Sequence, residues 1–153
     1  MRKIVLTLMM VVAAQMAMAQ DWLFKKYEDA KGVETVIISK AMLSLAASSN
    51  QLTNVAGMDL RSIASKLDKV RIINCEKSSA LSKVKNDVQT AYKKGGFEQL
   101  MSSNDDDSKM SVYYRLNGGK NEFAVVSIEK DELSVVNFVG SLTIEDIKGG
   151  LNF

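Results

Sequence analysis

The chain contains no histidine, no proline and only one cysteine, Cys75, among its 153 residues. Without histidine, Ser-His-Asp and Cys-His nucleophilic catalysis, imidazole proton shuttling and His-ligated zinc are excluded. A single thiol excludes an intrachain disulfide, an in-chain redox pair and a cysteine-based zinc site. Without proline, slow prolyl isomerisation is no step of folding. Long apolar runs are also scarce. Beyond the first twenty residues no stretch reaches the roughly 18 apolar residues that a membrane span needs.

What is present begins at the N-terminus. Arg2 and Lys3 precede an apolar stretch from Ile4 to Ala14, followed by Ala17-Met18-Ala19 before Gln20. A positive start, a short apolar segment and a small-x-small site are the parts of a secretory signal peptide, with recognition by Ala17 and Ala19 and cleavage after Ala19. The expected product is an exported protein, periplasmic or secreted, in which residues 1–19 are leader and residues 20–153 form a single domain. Gln20 rather than cysteine follows the site, so an untethered, soluble product is expected.

The leader carries much of the apparent composition. It holds Met1, Met9, Met10, Met16 and Met18 of the nine methionines, and both Arg2 and Lys3. Its removal leaves 18 basic against 18 acidic residues, so the mature domain is neutral. Nucleic acid and anionic membrane surfaces require clustered, unbalanced Lys and Arg, and are therefore not expected as partners.

Periodicity orders the rest. Leu23, Phe24 and Tyr27 share a helical face, and Gly32 stops that segment. Val33 to Ser39 reads as a strand and Lys40 to Ala46 as a helix, then Ser48 to Gln51 as a loop. Asp59 is placed to cap a helix carrying Leu60, Ile63, Ala64 and Leu67. Val70 to Cys75 is a strand, with Cys75 as a small hydrophobe in it. Ser78 or Ser79 opens the longest helix, with Leu81, Val84, Val88 and Tyr92 inward and Lys83, Lys85, Asp87, Lys93 and Lys94 solvated, ending at Gly95-Gly96.

Four strands follow: Phe97–Met101, Met110–Leu116, Glu122–Ile128 and Leu133–Val139. They are joined by turns at Asn104–Ser108, Asn117–Lys120 and Lys130–Glu132. Thr143 caps a last helix from Ile144 to Lys148. The expected architecture is α+β and two-layered, with helices on one face of a mixed, mainly antiparallel sheet ending in a β-meander and a short C-terminal helix.

Motifs for chemistry are thin. Ser82-x-x-Lys85 matches the serine acyl-enzyme signature but lacks its companion motifs, and both side chains belong to a polar helix side. Asp105-Asp106-Asp107 offers calcium ligands, yet Lys109, Met110 and Leu116 occupy positions where an EF-hand requires a ligand, a glycine and a glutamate. Gly118-Gly119-Lys120 and Gly95-Gly96 lack phosphate-loop spacing, and neighbouring pairs such as Glu145-Asp146 and Asp131-Glu132 do not show two carboxylates converging on a cleft. No cofactor, metal or catalytic residue is assigned, and a non-enzymatic protein is expected. Tyr113 and Tyr114 point to opposite sheet faces, and several strands are apolar on both sides. Either the N-terminal helix covers the second face or that face receives an unknown protein partner or a hydrophobic ligand of the cell envelope.

At Gly32-Val33, Ile38-Ser39-Lys40-Ala41-Met42, Gly95-Gly96-Phe97-Glu98 and Gly140-x-Leu142-x-x-x-x-Ile147, the chain resembles the domain-of-unknown-function family 4252 of small exported proteins from Gram-negative bacteria. The resemblance covers residues 21 to 148. It implies a signal peptide and one domain of this length, with no catalytic or ligand-binding residue to carry over. The reading is an uncharacterised exported protein, a cell-envelope interaction module, with a small-molecule or lipid binder as the alternative.

Overall fold

Residues 19–49, 59–76, 78–117 and 119–150 are described by a computed structural model of the chain. Residues 1–18 of the expected leader, Ala17 among them, Asn50 and Gln51 of the expected loop, and Gly118 lie outside the described residues. In chain order the elements are α1 (Ala19–Tyr27), β1 (Glu34–Ser39), α2 (Lys40–Ala47), a 3-10 turn (Ala64–Lys66), β2 (Leu67–Glu76), α3 (Leu81–Lys94), β3 (Glu98–Asn104), β4 (Ser108–Asn117), β5 (Lys120–Glu129), β6 (Glu132–Gly140) and α4 (Ile144–Gly150). The six strands form one sheet in the order β1-β2-β6-β5-β4-β3.

Each of the five ladders is antiparallel, so the expectation of a mixed sheet is corrected. The cause is the path of α3, which carries the chain from β2 to the far edge. From there β3 to β6 return as hairpins, and β6 closes on β2. A hairpin connection makes neighbours antiparallel.

The helices do not lie on one face. Val84, Val88, Ala91 and Tyr92 of α3 and Leu23, Phe24 and Tyr27 of α1 pack with Ile73, Tyr113, Ala124 and Val135 on one side. Leu43 of α2, Leu60 and Ile63 before the 3-10 turn, Leu142 after β6 and Ile147 of α4 pack with Val70, Phe123, Val136 and Phe138 on the other. Three layers replace the expected two. Phe123-Ala124-Val125-Val126 explains why: four consecutive buried apolar residues alternate between the faces, so each face must be covered.

The helix expected to follow Asp59 is also corrected. Leu60, Ile63, Ala64 and Leu67 are all buried, as a helical stripe would have them, but only Ala64–Lys66 is helical, as a 3-10 turn. Asp59 accepts the Arg61 backbone N–H at 3.0 Å and clasps its guanidinium at 2.6 Å, closing a turn. Leu67 must then extend to pair with Gly140 of β6. Tertiary pairing overrides a weak local helix preference.

Elsewhere local signals hold. Gly96 adopts a φ of 78° after the Gly95 cap, ending α3 where a left-handed residue is needed. Thr143 accepts the Asp146 backbone N–H at 3.2 Å while Asp146 accepts the Thr143 N–H at 2.9 Å, a reciprocal cap for α4. The start of α3 differs from the expectation at Ser78 or Ser79: Ala80 is the cap residue and has no side-chain cap bond, and Ser78 only closes the preceding turn by accepting the Ala80 N–H at 3.1 Å.

Candidate functional site

With both faces covered, the surface left for recognition is the rim of the sheet. β1 and β3 are its two edges. The β1 edge continues directly into α2, because Ser39 is both the last strand residue and the helix cap, accepting the Met42 N–H at 3.4 Å. Leu43 anchors α2 in the core, and helical geometry then leaves Met42 and Leu45 outside, 56% and 65% exposed. On β1 itself Ile37 is 53% exposed. Thr35 donates to the Tyr27 carbonyl at 3.0 Å, and Lys40 lies 3.5 Å from Asp68, so the strand is pinned at both ends.

Under α1 and the end of α3 lies a second feature, a band of buried charge. Arg71, Arg115, Glu122 and Asn137 are all at least nine-tenths buried. Strand register assembles them: Arg71 is opposite Asn137, and Arg115 is opposite Glu122. Arg71 donates to Asn137 Oδ1 at 3.0 and 2.9 Å and to Asp21 of α1 at 2.5 Å, and its Nη2 lies 3.9 Å from Glu122 Oε2. Arg115 donates to Glu122 Oε1 at 3.0 Å and to the Gly95 carbonyl at the end of α3 at 2.9 Å. The two guanidinium groups lie over Phe24 and Phe97, 4.5 and 4.6 Å from the ring centroids.

Tyr92 Oη and Asn137 Nδ2 are buried beside this band and adjoin each other without a well-formed hydrogen bond, and Glu122 Oε2 is buried there too. Burial drives the Tyr92 hydroxyl pKa far above that of a free tyrosine, so it stays neutral. Two cations balanced by Glu122 and Asp21 fasten α1 and α3 to the sheet. The sequence signal for this band was present: Arg71 and Asn137 interrupt apolar runs at core-facing positions.

The residues singled out from sequence do not assemble into a reactive centre. Cys75 is buried, its thiol 3.3 Å from the Gly32 carbonyl, and burial pushes the thiol pKa up. Ser82 is exposed, whereas the Lys85 ammonium donates to the Glu129 and Lys130 carbonyls at 2.6 and 3.0 Å. Asp87, expected on the solvated side of α3, instead accepts from Lys26 at 2.7 Å and Tyr27 at 2.5 Å, joining α1 to α3. Asp105 and Ser108 close the β3–β4 turn through backbone bonds. Asp107 lines an open hollow of about 460 Å³ with Glu76, Glu129, Lys130, Asp131 and Glu132. Among the described residues no three acidic or thiol groups are grouped so as to hold a metal ion.

Tyr113 and Tyr114 do occupy opposite faces, Tyr113 stacked on Tyr92 at 5.4 Å and Tyr114 tilted on Phe123 at 4.8 Å. The second face is covered, although by α2, the 3-10 turn and α4; the N-terminal helix shares the first face with α3. Ala19 is the first residue of α1. No helix among the described residues is long and apolar enough to cross a membrane.

No curated protein matches the chain. Among solved structures, a protein of unknown function from Pseudomonas aeruginosa is 12% identical, with 54% of this chain and 65% of that one covered and a TM-score of 0.32. The chain thus spans a little under two thirds of that protein's length. A GTP binding regulator from Thermotoga maritima is 8% identical over 86% of this chain and 79% of its own, with a TM-score of 0.31. Likeness at this level carries no argument about function. The profile described as Domain of unknown function (DUF4252) matches residues 27–149, from the end of α1 to the last turn of α4, and the chain belongs to that family.

Proposed function

We propose that the protein is an exported, non-enzymatic module of the cell envelope that binds another protein through the β1–α2 rim. One observation supports this above the others. Ile37, Met42 and Leu45 are more than half exposed on one continuous strand–helix segment, whereas Leu116 near the end of β4, though as exposed, has no such neighbours in sequence. Exposed apolar side chains gathered on one segment favour a protein contact. A hydrophobic ligand would need the second sheet face, and α2, the 3-10 turn and α4 already pack there.

Export is supported by the N-terminal sequence, in which Arg2 and Lys3, a short apolar segment and the Ala17-x-Ala19 site follow one another. Two measurements test the reading. Fractionation with N-terminal sequencing should place a chain beginning at Gln20 outside the cytoplasm. A photo-crosslinking residue at Met42 should give discrete protein adducts in intact cells, and one at exposed Lys83 on α3 should not. Equal adducts at the two positions would remove the case for this rim.

A further inference from the structure

The two sheet edges differ in how open they are to pairing. β3 has a register break between Gln99 and Met101 and carries mainly exposed polar residues. Such a bulge twists an edge strand away and blunts it. β1 pairs with β2 without a register break over all six residues. Its core-side residues Val36 and Ile38 are half-buried, and Ile37 stands 53% exposed on the opposite face. Among the described residues no strand occupies its outer side.

Resting on the rim reading above, we infer that the partner of this edge is a second copy of the chain, paired β1 to β1 about a two-fold axis at Ile37 to make one continuous twelve-stranded sheet. Antiparallel pairing of an edge with itself matches only residues of the same parity, because outward N–H and C=O groups belong to alternate residues. With Ile37 on the axis, Ile37 meets Ile37, Val36 meets Ile38 and Thr35 meets Ser39, so the pairs within the strand are apolar to apolar and hydroxyl to hydroxyl. Glu34 then comes opposite Lys40, the first residue of α2, acid to base. Neighbouring allowed registers fail this test. An axis at Val36 sets Glu34 against Ile38, and an axis at Ile38 sets Lys40 against Val36.

Charge complementarity therefore selects both the occupant and the register. Lys40 is available for it, since its side chain is 66% exposed even while it neighbours Asp68. The symmetry is isologous and closed, so pairing stops at two copies.

The test uses the full chain, expressed with its own leader, in light scattering across a concentration series. The wild type should form a dimer. Lys40→Glu should weaken it by roughly tenfold, and Glu34→Lys combined with Lys40→Glu should restore it. Circular dichroism melting of each variant separates loss of pairing from loss of fold. Ile37→Cys should form a disulfide-linked dimer faster than Thr35→Cys, because only position 37 meets itself. A monomer at every concentration, or a dimer indifferent to Lys40→Glu, overturns the self-pairing. If Met42 still crosslinks to a different protein while the chain stays monomeric, the rim reading survives and the second copy does not.

Discussion

On the side of α2, the 3-10 turn and α4, the sheet buries hydrocarbon: Leu43, Leu67, Phe123, Val136, Phe138 and Leu142 close together with no buried charge among them. On the side of α1 and α3, a comparable apolar cluster ends in Arg71, Arg115, Glu122 and Asn137. The first face is held by contact area and fails through cavities; the second also depends on charge balance and fails when one partner is removed. The difference follows from what covers each face. α3 presents carbonyls at its C-terminal end, which Arg115 caps through Gly95, and α1 presents Asp21, which Arg71 takes.

The largest effects should come from breaking each face in its own way. Glu122→Ala leaves two buried guanidinium groups short of a counter-charge and should cost about 3–5 kcal/mol in urea unfolding. Phe123→Ala on the hydrocarbon face should cost a similar ~3–5 kcal/mol by opening a cavity, with little dependence on salt. Equal costs with different chemistry would sharpen the contrast; a small loss for Glu122→Ala would erase it.

Gly140→Ala tests how tightly the hydrocarbon face is closed at its rim. A Cβ there would stand 2.1 Å from the Lys66 carbonyl oxygen and 2.9 Å from Leu67 Cα, both backbone atoms. The expected loss is about 1–3 kcal/mol, read as a lowered melting point.

Asp87 gives the α1–α3 side a pH dependence. Burial alone would raise its carboxyl pKa, but hydrogen bonds from Lys26 and Tyr27 outweigh this and hold the pKa below the ordinary aspartate value. A pKa depressed on folding contributes stability that is present above the unfolded value near ~3.9 and is lost as pH falls through the folded value. Thermal melts of wild type and Asp87→Asn should therefore differ at neutral pH and converge under acid. A gap that stays constant to pH ~2 would contradict the assignment.

The smallest effect is expected at Tyr92→Phe. Its hydroxyl is fully buried beside Asn137 without a well-formed hydrogen bond, so removing it should change stability by less than about 1 kcal/mol. A loss above that size would mean the hydroxyl is bonded in solution.

Much of this fold was legible in the residue order. The strand–helix junction at Ser39, the Gly95-Gly96 stop, the four-strand meander and the Thr143 cap all follow from signals within a few residues, and the local backbone obeys them. Leu60, Ile63, Ala64 and Leu67 were correctly read as inward but wrongly as one helix, because burial is set by side-chain type and Leu67 is claimed by pairing with Gly140, far along the chain. Arg71 and Asn137 could have been flagged as polar interruptions of apolar strands. Their meeting depends on the β2–β6 register, which no local pattern states. The rim was hidden for the same reason. Ile37 differs from Ile38 only in which side of an edge strand it occupies.

By itself the residue order determined the exclusion of histidine and intrachain disulfide chemistry, most of the succession of elements and the apolar character of both strand faces, since these depend on composition and near-neighbour geometry. Only the tertiary structure decided that α1 and α3 share one face, that two arginines are buried against one glutamate, and that β1 is an unbroken edge. Those facts come from contacts between residues dozens of positions apart, where the energy lies in which surfaces meet.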